Sequence, residues 1–238
     1  MLKSNLVWGI VIVLFREPEN LPIEQWRGLG QIDRIYSAIL VQSPVEAVVE
    51  AFSQIKKVIY WEKDAYGKTV EFTQQRLSNV KPTQLRLIIF RFRGHLWTIV
   101  NKLPNFVGLT LQEAQALAKL LKTCLIYYTI SDSSARIGYS FYAHGELMER
   151  LLIDEYGNAF QSQLRQLTLE GIDDPYIFTD SFLREQGIYV PELHFSDKVV
   201  NQSMILRFWG RSPAMERITF EHDDFDQFDY LILENQSS

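Results

Sequence analysis

Two stretches of the chain pass from strand-like to helix-like hydrophobic spacing and back again. Tyr36–Gln42 (YSAILVQ) is a short apolar run of strand length. It leads into Ser43-Pro44-Val45-Glu46, with serine at an N-cap, proline at the first helical position and glutamate at the third, the composition of a capping box with a proline start. Val45, Val48, Val49 and Phe52 then recur on one helical face, and Val58–Trp61 resumes strand character. The second stretch begins with the strand-like HLWTIVNK from His95. A box at Thr110-Leu-Gln-Glu113 follows, then the stripe Ala114, Leu117, Ala118 and Leu121, then CLIYYTI from Cys124 as another strand. Each stretch predicts a strand–helix–strand unit, a right-handed crossover between parallel strands if both lie in one sheet.

Around these units the pattern predicts antiparallel hairpins. LRLIIFRF and HLWTIVNK flank Arg93-Gly94, and ARIGYSFY and ELMERLLI flank Ala143-His144-Gly145. Towards the C-terminal end MILRFWG, MERITFEH and FDYLIL read as three more strands. Between Asp154 and Asp197, AFQSQLRQL (from Ala159) has helical spacing, and a second helix starts at Asp174-Pro175 and stops at Gly187. The expectation is an α+β fold: a mixed sheet or sheets built from two strand–helix–strand units plus antiparallel hairpins, with helices packed on one side. Residues 1–238 read as a single domain, with a possible subdivision near 154 into 1–153 and 154–238.

Composition narrows the function classes. Hydrophobic residues at 47% with aromatics at 13% supply the apolar mass of a folded core. A net charge of −5 repels a phosphate backbone, so nucleic acid is not an expected partner, although Lys81, Arg86, Arg91 and Arg93 could form a local basic strip. One cysteine, Cys124, excludes an internal disulfide and multi-thiolate zinc sites, and points to a reducing, cytoplasmic setting. The apolar run Leu6 to Phe15 is followed by Arg16, Glu17, Pro18 and Glu19, where a signal-peptide cleavage region needs small uncharged residues. It also has roughly half of the about 20 residues a spanning helix needs. It reads as a core element rather than a membrane anchor.

No complete catalytic motif emerges. Gly67-Lys68-Thr69 resembles the end of a phosphate loop, but position 62 is Glu62 instead of glycine, and TVEF alternates like a strand. Gly28-Leu-Gly30 lacks the third glycine of a dinucleotide fingerprint. No G-x-S-x-G elbow occurs, and Asp132, Ser133 and Ser134 suit a turn. Glu221, His222, Asp224 and Asp226 form the densest set of oxygen and nitrogen donors, but without the twelve-residue calcium-loop pattern. Such an acidic run suits a solvated turn. No cofactor and no metal is assigned.

Two of the four histidines fall at glycine turns, and left-handed backbone geometry is tolerated by glycine and, among other residues, by histidine. Strand alternation puts His95, Trp97 and Ile99 on one face and Leu96, Thr98 and Val100 on the other. Tyr127 and Tyr128 point to opposite faces, so one faces outward, either to a recognition surface or beneath the C-terminal helices. The binding candidates are His95, Trp97, Tyr128, Tyr142 and His144. The expectation is a non-catalytic module that binds another protein, or a second copy of itself, through an aromatic sheet face or edge. The alternative is a metal-assisted hydrolase using residues 221–226 with His95 or His144.

Overall fold

A computed structural model describes residues 36–65, 84–103, 109–131, 136–188 and 225–234. Their strands form one nine-stranded sheet. In chain order the elements are β1 (Tyr36–Val41), α1 (Val45–Ile55), β2 (Val58–Glu62), β3 (Gln84–Phe92), β4 (Thr98–Leu103), α2 (Leu111–Leu121), β5 (Leu125–Ser131), β6 (Arg136–Ala143), β7 (Glu146–Asp154), β8 (Gly157–Ser162), a single 3-10 turn at Leu169–Gly171, α3 (Pro175–Glu185) and β9 (Phe225–Glu234). Across the sheet the strands run β2-β9-β3-β4-β1-β5-β6-β7-β8.

Every pairing among the described strands is antiparallel, so the expected mixed sheet is corrected to an antiparallel one. The broad α+β class stands. Each predicted crossover joins strands that are not hydrogen-bonded neighbours: β4, β3 and β9 separate β1 from β2, and β1 separates β4 from β5. The sheet continues through residue 154, where Asp154 pairs with Gly157 across the β7–β8 turn.

Strand alternation divides the core in two. On one face Ile39, Val41, Leu87, Ile89, Val100 and Leu231 pack with Val45, Val48, Val49 and Phe52 of α1 and Ala114, Leu117 and Ala118 of α2. Each large aliphatic or aromatic side chain so buried contributes on the order of 2 kcal/mol. Lys56, at the end of α1, reaches Glu113 in the first turn of α2 at 2.8 Å and ties the two helices together. On the opposite face Phe182 and Leu183 of α3 join Tyr128, Tyr139, Phe141 and Leu151. The helices therefore flank both faces instead of packing on one side.

Two local readings change. Ala159 to Leu167 is not a helix: β8 runs to Ser162, whose hydroxyl accepts from the N–H groups of Leu164 and Arg165 at 3.0 Å and turns the chain. α1 begins one residue later than expected because Pro44 is extended (φ −58°, ψ 152°), and Ser43 makes no side-chain cap. The Ser43 carbonyl instead accepts from the Thr98 hydroxyl at 2.5 Å. The run Leu6 to Phe15, Gly28-Leu-Gly30, Gly67 to Thr69, Asp132 to Ser134, and the strands expected over 204–222 lie outside the described residues. Among the described residues no helix is long and apolar enough to cross a membrane.

Candidate functional site

The two histidine turns have different structures. His144 (φ +53°) and Gly145 (φ +87°) both take the left-handed geometry that closes a two-residue hairpin between β6 and β7. His144 is exposed there. Gly145 has a second constraint, since a Cβ on it would meet the Ala118 carbonyl oxygen at 3.2 Å and the Lys119 Cα at 3.3 Å, where α2 backs onto the turn.

At the other turn only Gly94 has positive φ, at +69°. His95 folds inward to 8% exposure, and its Nδ1 accepts from the Trp97 backbone N–H at 3.1 Å. That leaves Nε2 to carry the ring proton of the neutral form. Burial is the main reason the His95 imidazole falls from 6.5 to about 4; Arg91 adds to the drop and Asp226 opposes it. The Trp97 indole N–H donates to the Gln186 carbonyl at 3.0 Å, pinning the end of α3. His95 and Trp97 are both buried and Leu96 is exposed, as alternation requires, although β4 itself starts only at Thr98.

Asp226 pairs with Arg91 at 3.3 Å and lies within electrostatic range of His95. These three groups are therefore brought together. Glu221, His222 and Asp224 lie outside the described residues, among which no group of three or more His, Cys, Asp or Glu side chains gathers as a metal site would need. His144 stands apart: β4, β1 and β5 separate β3 from β6, and strand spacing puts the two turns on the order of 15–20 Å from each other.

The aromatic candidates are core residues. Tyr128 is fully buried and Tyr142 nearly so. Tyr127 packs on the face covered by α1 and α2, and its hydroxyl donates to the Leu109 carbonyl at 2.9 Å. Neither of the paired tyrosines offers a free recognition surface.

Among the described residues, two carboxylates with no exposure each hold three donors. Glu149 on β7 is 0% exposed. It accepts from the Tyr139 hydroxyl (2.7 Å), the Ser162 hydroxyl (2.5 Å) and Arg165 Nε (2.8 Å). Arg165 reaches on to Glu185 of α3 at 2.6 and 3.3 Å and lies 5.3 Å from the Phe178 ring centre. Tyr139 stacks on Phe182 at 3.9 Å, and burial with the Glu149 hydrogen bond pushes its hydroxyl pKa up. Asp229 on β9 is likewise buried, accepting from Trp61 Nε1 (2.8 Å), the Asp64 backbone N–H (3.1 Å) and Gln227 Nε2 (3.0 Å). Both sets have their acceptors filled from within the chain, as structural clasps do. Parity signals Glu149 in advance: it shares its strand face with Leu151 and Ile153, so an acid sits on the core side.

No family model, curated protein or solved structure matches this chain. What the chain can do must be read from its own surface, and there the two sheet edges differ. β2 carries a register shift between Val58 and Tyr60 and ends in Glu62. A bulge and a charge are both devices that protect an edge from pairing. β8 (GNAFQS) has neither: it pairs with β7 in unbroken register, contains no charge and no proline, and most of its residues are exposed. The β7–β8 turn beside it carries Tyr156, 84% exposed, and Leu164 beyond its other end is 49% exposed.

Proposed function

We propose that the chain is a non-catalytic interaction module that takes up an extended strand of a protein partner along the outer edge of β8, in a cytoplasmic setting. Strand addition draws its affinity from main-chain hydrogen bonds and its selectivity from alternate side chains. The observation that carries this reading is the unprotected β8 edge, uncharged and regular, with exposed Tyr156 and Leu164 at its two ends. Among the described residues, no strand pairs with its outer side. An aromatic sheet face no longer supports the reading, because Tyr128, Tyr139 and Tyr142 are buried.

The test is capture of partners by the purified chain from an extract of its native cell. Asn158→Pro removes an N–H that points away from β7, and should abolish capture while leaving the fold intact by circular dichroism. Ile59→Lys on the β2 edge should leave capture unchanged. Partners retained by Asn158→Pro and lost with Ile59→Lys would reject the β8 reading.

A further inference from the structure

The direction of each backbone group on β8 follows from its register with β7. The Gln163 N–H donates to the Met148 carbonyl at 2.8 Å, and these two residues lie opposite each other in the ladder that pairs Glu149 with Ser162. In an antiparallel pair, hydrogen-bonded and non-hydrogen-bonded positions alternate. Gly157, Ala159, Gln161 and Gln163 therefore turn their N–H and C=O groups towards β7, consistent with the Asp154–Gly157 pair that closes the hairpin. Asn158, Phe160 and Ser162 turn theirs outward. Three donors and three acceptors stand in a row along this edge, which no described strand pairs.

This row is its own complement. An antiparallel second β8 that uses all of these groups has only one register, with Phe160 opposite Phe160 and Asn158 opposite Ser162. The same register sets the Tyr156 turn of each copy against the turn after Ser162 in the other, where Leu164 is exposed. Two exposed apolar side chains thus cover each other twice across a two-fold axis. Phe160, whose ring meets Phe178 edge-to-face at 5.5 Å, lies beside its symmetry mate on the α3 side. No charge lies within the seam. A contact of this kind is isologous and closes on itself, so it stops at two copies.

We infer that the partner at this edge is a second copy of the chain, joined β8 to β8 in antiparallel register about Phe160 into one continuous sheet; this rests on the β8 interaction reading above. A seam six residues long with its flanking turns is at the small end of interface sizes, below about 1,200 Å². The dimer is therefore reversible and forms as concentration rises.

Analytical ultracentrifugation of the full chain over a wide concentration range tests this. The wild-type chain should pass from monomer to dimer without larger species. Tyr156→Ala, at a position too exposed to affect folding, should weaken the dimer about tenfold or more, and Asn158→Pro should abolish it. Ile59→Lys should leave it unchanged. Hydrogen exchange should show the Asn158, Phe160 and Ser162 amides gaining protection with concentration. A chain that stays monomeric throughout, while capture of a different protein is lost with Asn158→Pro, overturns the second copy and keeps the β8 reading. A dimer indifferent to Asn158→Pro and Tyr156→Ala overturns the β8 seam itself.

Discussion

Arg165→Met removes the cation that joins buried Glu149 to Glu185 on α3. Two parts of that contact must be weighed separately. The arm to Glu185 is at the surface, where the glutamate side chain is 51% exposed, and such a pair contributes about 0–1 kcal/mol. The arm to Glu149 ends on a carboxylate with no exposure. Removing one member of a buried pair costs about 3–5 kcal/mol, because the remaining charge is left in a poor solvent. Two features reduce this figure: Tyr139 and Ser162 still donate to Glu149, and Arg165 is itself 27% exposed, so water can reach part of the vacated space. The expected loss is about 2–4 kcal/mol. Urea unfolding followed by tryptophan fluorescence measures it as a lower midpoint at unchanged slope. Glu149→Gln added to Arg165→Met should recover at least about 1 kcal/mol, since the uncompensated charge is then gone while an acceptor for Tyr139 remains. If Arg165→Met lies within about 0.5 kcal/mol of the wild type, or the two changes simply add, the clasp does not hold β7 and α3 together as described.

Three further outcomes are expected. Thr110→Ala should lower stability by about 1 kcal/mol, because the Thr110 side chain accepts from the Glu113 N–H at 3.2 Å and Glu113 accepts from the Thr110 N–H at 2.7 Å; Ser43→Ala, which loses no cap, should stay within about 0.5 kcal/mol, and denaturant midpoints compare them. Gly145→Val should cost on the order of 1–3 kcal/mol in the same measurement, or more where the new side chain meets Ala118 and Lys119, whereas His144→Asn should change stability little. The third concerns acid. Because the folded-state pKa of His95 lies below its unfolded value of 6.5, the unfolded chain binds more protons as pH falls, so the stability due to its neutral form is complete above 6.5 and is lost as pH drops towards about 4. That loss amounts to roughly 3 kcal/mol, and His95→Gln should remove it from the difference between unfolding curves at pH 7 and pH 4; an unchanged pH dependence in the variant would refute the assignment.

The parts of this fold legible in the sequence are those set by neighbours in the chain. The stripe Val45, Val48, Val49 and Phe52, the Thr110 box, the Asp174-Pro175 helix start and both glycine turns each depend on a few adjacent residues. The Ala159 to Leu167 segment misled because Phe160, Leu164 and Leu167 fall at helical spacing, while the Asp154 carboxylate, holding the Tyr156 and Gly157 N–H groups, starts a hairpin there. Strand order was beyond reach, because the partner of β2 is chosen by surfaces far apart in the chain. The candidate site was legible only in part. His95 and His144 were found as turn residues, but nothing local announces that one folds inward and the other stays out. The β8 edge is hidden in the sequence because Phe160, Leu164 and Leu167 carry helical spacing across it.

β9 fills the slot between β2 and β3, and its Asp229 takes the Trp61 indole N–H from 168 positions away. During synthesis, β1, β3, β4, β5, β6, β7 and β8 can all pair in turn, but β2 pairs with β9 alone among the described strands, and one side of β3 stays open with it. Loop-closure entropy delays so distant a pairing. Until residues 225–234 emerge, the nascent chain presents an unprotected strand edge along Leu85–Phe90, far more apolar than the β8 edge of the finished molecule. The interval before β9 docks is when that apolar edge is open to pairing with another chain.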